Sequence, residues 1–155
     1  MSANEDEVGR LWRQFLEVYY TPEGLPKARQ LAEQLATALG EYDREGPDKA
    51  HVHPWILVWE ARGNLPEAIR LAEHDLAGKR AELEAGDFDP YPRLLLETVE
   101  YLCGGLTFQA ERYVKIGNKE KARACLGEVS ALCERYGIQP DEDAQALFRQ
   151  VNEGE

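Results

Sequence analysis

Apolar residues recur at helical spacing from Val8 onward: Leu11, Trp12, Phe15, Leu16 and Tyr19 follow at three- and four-residue steps. That period marks one helix face. It predicts a first helix starting near Glu7. Thr21-Pro22 should end it, because a residue before proline is pushed out of the α region. A second helix is predicted from near Leu25 through Leu31, Leu35 and Leu39 to about Tyr42, followed by a loop at Arg44-Glu45-Gly46-Pro47-Asp48. His51-Val52-His53-Pro54 leads into a short third helix. Trp55, Ile56, Val58 and Trp59 make it apolar almost all round, so it is expected to be buried between neighbours. A fourth helix is predicted from about Leu65 to Ala85. It becomes strongly charged after Gly78, and its far end is expected to project into solvent.

Gly86-Asp87-Phe88-Asp89-Pro90-Tyr91-Pro92 is the clearest break in the chain, with two prolines unsuited to a helix interior. A fifth helix is expected from about Arg93 to Ile116, unbroken but weakened at Gly104-Gly105. A sixth should run from Lys119 to about Tyr136 and stop at Gly137. The last should open on Pro140-Asp141-Glu142-Asp143, a start that suits the helix dipole. Its Ala144, Leu147, Phe148 and Val151 form one apolar face, as a helix closing the end of a stack would need. No stretch alternates as a strand does. The pattern predicts an all-α single domain over 1–155, with 1–6 and 153–155 frayed.

The joints between these helices repeat. Gly63-Asn64-Leu65-Pro66-Glu67-Ala68 can leave one helix through a left-handed glycine, cap the next with asparagine and place proline in its first turn. Gly117-Asn118-Lys119-Glu120-Lys121-Ala122 shares the Gly-Asn start and the alanine. Glu23-Gly24-Leu25-Pro26-Lys27-Ala28 shares the Leu-Pro and the alanine. Upstream, Trp12, Tyr19 and Ala28 fall at the same spacing as Val52, Trp59 and Ala68, and as Leu106, Tyr113 and Ala122. Shared punctuation with a shared upstream pattern argues for an internal repeat.

These features resemble the tetratricopeptide repeat (TPR). Gly63–Ala68 and Gly117–Ala122 look like that family's turn, and Trp12 and Tyr19 match its first-helix aromatics. The small residue usual in mid first helix is replaced by Leu16 and Ile56, and only Ala110 keeps it. The copies are spaced by 40 and then 54 residues, against about 34 in the family. The resemblance therefore implies a TPR-like α-solenoid of three antiparallel helix pairs plus a C-terminal capping helix, with lengthened helices and an insertion around 78–92. It also implies a concave groove for a peptide or partner protein. By register the groove would be lined by Arg13, Glu17 and Tyr20, then His53, Leu57 and Glu60, then Thr107, Glu111 and Lys115. Outside the repeat, Phe88 and Tyr91 are candidates for a recognition loop.

Composition narrows the function further. Hydrophobic residues make up 43% of the 155-residue chain, enough for a packed core. The formal charge of −11 disfavours nucleic-acid backbones and anionic membrane surfaces. No apolar run approaches the roughly 20 residues of a membrane span. The first seven residues carry no basic and apolar signal pattern. Cys103, Cys125 and Cys133 have no CxxC spacing, so buried thiols in a reducing, cytoplasmic setting are expected.

Catalytic constellations are missing from the sequence. His51 and His53 could offer two metal ligands, but no third His or Cys stands at ligand spacing. Cys125 and Cys133 share a helix face without a base marked out to activate either. Glu97, Glu100 and Glu111 read as a solvated face. There is no phosphate loop, G-x-S-x-G or H-E-x-x-H. The expectation is a non-catalytic interaction module without metal or cofactor. The alternatives are a self-associating homodimer and a small-molecule or signal-peptide sensor.

Overall fold

The computed structural model describes residues 2–19, 21, 24–40 and 52–152. Among them the chain is all-helical, in the order α1 (Ser2–Tyr19), α2 (Leu25–Gly40), α3 (Val52–Ala61), α4 (Leu65–Ala85), α5 (Pro92–Lys115), α6 (Lys119–Tyr136) and α7 (Glu142–Asn152). The expected loop at 44–48 and the last three residues lie outside the described set. α1 begins five residues earlier than its apolar period indicates. α5 runs unbroken through Gly104-Gly105. Prolines sit where a helix lacks backbone acceptors for its first N–H groups: Pro26, Pro54, Pro66 and Pro92 all fall in a first turn. Pro92, expected in the break, is the first residue of α5.

Two compact units divide the chain, 1–72 and 73–155, with the division inside α4. In the first, α1 packs on α2 and α2 on α3. Val8, Leu11 and Phe15 of α1 meet Leu31, Leu35 and Leu39 of α2 and Val58 of α3 in one core. Phe15 stacks on Trp12 and Tyr19, with ring centroids 6.0 and 4.9 Å away. Ile56 of α3 joins Ala68, Leu71 and Ala72 of α4 in a second cluster, flanked by Trp55 and Trp59. Arg29 Nε donates to the Ala61 carbonyl at 3.1 Å. Arg62 forks onto Glu33 at 2.6 and 3.0 Å, and this hydrogen bonding holds the Glu33 carboxyl below its ordinary pKa. The fork is exposed and contributes little to stability.

In the second unit, α5 packs on α6, and α7 packs on both. Leu76 of α4, Val99, Leu102 and Leu106 of α5, and Leu126 and Val129 of α6 are fully buried. A Cβ at Gly105 would stand 2.9 Å from Leu76 Cδ2, so the glycine lets α4 lie close to α5. The charged half of α4 is partly tied down, because Arg80 forks onto Glu128 of α6 at 2.6 and 2.7 Å. Glu82, Glu84 and Ala85 beyond it are exposed.

The two Gly-Asn joints agree bond for bond. Gly63 and Gly117 have φ of 82° and 81°, a region open to glycine because it lacks a Cβ. Asn64 N–H donates to the Trp59 carbonyl at 2.9 Å and Asn118 N–H to the Tyr113 carbonyl at 2.8 Å. The Asn64 side chain accepts from Glu67 N–H at 3.2 Å, and that of Asn118 from Lys121 N–H at 3.1 Å. These are N-caps. The earlier joint differs. Gly24 is not left-handed, but a Cβ there would collide with the Val18 carbonyl oxygen. At all three joints the following alanine, Ala28, Ala68 or Ala122, is 0% exposed. Ala68→Leu is therefore expected to overpack its site and lower the unfolding free energy by about 1–3 kcal/mol, measured by urea denaturation. An unchanged midpoint would show that the alanine site has room to spare.

Candidate functional site

α5 presents more exposed apolar surface than its packing explains. Tyr91, Leu94, Leu96, Phe108 and Ile116, the large hydrophobic residues exposed among those described, are 65%, 49%, 43%, 48% and 44% exposed. All five lie on α5 or at its two ends. The core-facing stripe of the helix, Val99, Leu102, Leu106, Ala110 and Tyr113, is separate from them and buried. Exposed large apolar side chains are thus concentrated on one element among the described residues, spread along its length.

The entry turn to α5 is built locally. Tyr91 N–H donates to the Phe88 carbonyl at 2.9 Å, and Asp89 N–H to Asp87 Oδ1 at 3.2 Å. The Phe88 ring folds back over Gly86, where a Cβ would stand 2.7 Å from the ring. Of the two candidate loop aromatics, Phe88 is thus half-buried and Tyr91 is exposed.

Two hollows adjoin α5. One, of about 290 Å³, is lined by Glu111, Val114 and Lys115 of α5 with Asp143, Ala146, Leu147 and Gln150 of α7. The other, of about 310 Å³, has Glu100, Cys103 and Thr107 of α5 opposite Val129 and Cys133 of α6 and the stretch 138–141. Asp141 closes that stretch as the N-cap of α7, accepting from Ala144 N–H at 2.8 Å.

The residues assigned to a groove by register fall in different settings. Glu111 and Lys115 come together at the α5–α7 hollow. Thr107 is buried and donates to the Cys103 carbonyl at 2.9 Å; the exposed side chain on that turn is Phe108, which the register skipped. Arg13 and Glu17 are exposed on α1, while Leu57 and Glu60 on α3 are half-buried. Leu57 packs against the first core, and Glu60 accepts from the Tyr19 hydroxyl. Tyr20 and His51 lie outside the described residues, as does the side chain of His53.

The remaining chemistry is quiet. Among the described residues no three of His, Cys, Asp and Glu converge on a point that could hold a metal. Burial, followed by the Glu73 and Glu128 charges, pushes the Cys125 thiol up to about 11. Burial and the neighbouring Cys133 push Cys103 up to about 12. Both thiols stay protonated at neutral pH, where a nucleophile would need the thiolate. Among the described residues no helix is long and apolar enough to cross a membrane. No family model, curated protein or solved structure matches the chain.

Proposed function

We propose that this chain is a cytoplasmic, non-catalytic protein-interaction module that holds a peptide or partner protein along α5. The observation that carries this reading is the placement of every exposed large hydrophobic residue, among those described, on that helix or its ends. Burying such side chains supplies most of the energy of a protein interface, while flanking charges such as Glu111 and Lys115 set orientation. The architecture in this reading is TPR-like: three antiparallel helix pairs with α7 as the cap. The matching Gly-Asn joints and the fully buried alanines after each turn support it.

The test has two stages. Light scattering on the purified chain should give a monomer across a wide concentration range. A concentration-dependent dimer would instead make α5 a self-association surface. Capture from the native cell should then recover a partner with the wild type and lose it with Leu94→Ser/Phe108→Ser, both folded equally by circular dichroism. Equal recovery by the double variant would remove α5 from the interface.

A further inference from the structure

The α4–α5 hairpin extends past the helix that covers it. Its two helices run antiparallel: Leu76 meets Gly105, and Lys79 lies over the Tyr101 ring at 4.7 Å. Residues after Lys79 therefore stand beside those before Tyr101. α6 stops short of them. Cys133, in its last turn, lines the same hollow as Cys103 of α5, and the helix then ends at the left-handed Gly137. Val99 is accordingly the first buried residue of α5. The stretch before it, from Pro92 to Thr98, is about two helical turns. Its apolar side chains and those of the adjoining tip are uncovered: Tyr91, Leu94 and Leu96 are exposed, while Leu83, Phe88 and Leu95 are half-buried.

This overhang is also one-sided in charge. Glu82, Glu84, Asp87, Asp89, Glu97 and Glu100 are exposed, and Arg93 is the only basic residue between 81 and 100. Lys79 engages Glu82 at 3.2 Å, and Arg93 approaches Glu97 at 4.0 Å. Glu84, Asp87, Asp89 and Glu100 make no ion pair among the described residues.

We propose that the overhang docks a basic amphipathic helix of a partner protein, with its apolar face on the uncovered leucines and its Lys and Arg side chains on the carboxylates. This rests on the reading of α5 as a partner-binding helix and deepens it, by placing the contact at one end and stating the partner's charge. Charge complementarity selects the occupant. A second copy of the chain, of formal charge −11, would bring the same carboxylates, and juxtaposed like charges oppose docking. An anionic lipid surface is disfavoured for the same reason. The apolar contacts would hold the partner, while the charged rim sets encounter rate and orientation. The partner's conformation follows from its backbone. α4 and α5 offer no strand edge for an extended segment to pair with, whereas a helix satisfies its own N–H and C=O groups internally.

The experiment titrates the full chain against a fluorescein-labelled amphipathic peptide of leucine and lysine, read by fluorescence anisotropy. A peptide with the same leucine face and glutamate in place of lysine is the counterpart. Saturable binding of the lysine peptide alone, weakened by added salt, is the expected result. Leu94→Ser/Leu96→Ser and Glu84→Lys/Glu100→Lys should each weaken it by about tenfold or more. Phe108→Ser, outside the overhang, and Asp6→Lys/Glu17→Lys, the same charge change on exposed positions of α1, should stay within about twofold of wild type. Circular dichroism reports the fold of each variant. Failure of the lysine peptide to bind overturns the proposal. So does equal binding of the glutamate peptide, an unchanged affinity in Leu94→Ser/Leu96→Ser, or an equal loss in Asp6→Lys/Glu17→Lys. If the titration fails while Leu94→Ser/Phe108→Ser still loses the captured partner, only the basic helix is struck; if that capture is unchanged, the reading of α5 itself falls.

Discussion

Phe15→Ala is expected to lower the unfolding free energy of the first unit by about 3–5 kcal/mol, the range for truncating a buried aromatic. Phe15 is fully buried, and two aromatic neighbours stack on it. The same core draws on α1, α2 and α3, so the void would open where three helices meet. Such a site relaxes poorly, because each wall is already held by other contacts. Trp12, Trp55 and Trp59 are the tryptophans of the chain, and all three fall in the first unit. Tryptophan emission during urea unfolding therefore follows that unit, while far-UV circular dichroism follows the helices of both. A large shift of the emission midpoint is the expected result. Tyr91→Ser, at an exposed position, should stay within about 0.5 kcal/mol of wild type. If Phe15→Ala cost no more than Tyr91→Ser, the core around α1 would be misplaced.

The helices were legible because period and punctuation agreed. Apolar steps of three and four gave the faces, and first-turn prolines and left-handed glycines gave the ends. α1 escaped at its start because Ser2 to Glu7 is helical without being amphipathic. A period reports a buried face, not a helix as such. By propensity alone Gly105 is a weak point in α5, whereas in the fold its lack of a Cβ admits Leu76. That contact depends on a helix 29 positions away in sequence.

The site was harder to read for the same reason. Register counting places Thr107 on the groove face, yet Thr107 is buried and the neighbouring Phe108 is exposed. The Thr107 side of α5 is covered by α6, α7 and the stretch 138–141, a tertiary outcome that no local pattern encodes. Glu111 and Lys115 reach a hollow, as their position four residues apart on one helix face allows. Tyr91 stood out in sequence because it sits between prolines, where helix packing cannot claim it.

Glu73→Ala is expected to destabilise the second unit by about 2–5 kcal/mol, because one carboxylate oxygen serves two donors that would be left without it. Glu73 Oε1 accepts from Gln109 Nε2 and from the Tyr113 hydroxyl, both at 2.9 Å. Gln109 is fully buried and Tyr113 is buried, so water cannot readily replace the lost acceptor. Gln109 in turn accepts from Arg112 Nη1 at 3.0 Å, which ties a buried guanidinium to the same network. Glu73→Gln keeps an acceptor and should cost less than Glu73→Ala. A cycle with Tyr113→Phe apportions the effect: the double variant should cost less than the two single costs added together, since both delete the same bond. Strict additivity would mean that the Glu73–Tyr113 bond contributes nothing. An independent check comes from alkaline pH. Burial first, then the bond to Glu73 and its charge, raise the pKa of Tyr113 above the ordinary value, which is about 10. A folded-state pKa raised in this way gives stability that is complete below the unfolded value and is lost as pH climbs through it. The wild type should therefore lose thermal stability above about pH 10 more steeply than Tyr113→Phe. Parallel alkaline limbs would remove the tyrosine from the network, and with it the claim that Glu73 is the acceptor around which α4 and α5 are joined.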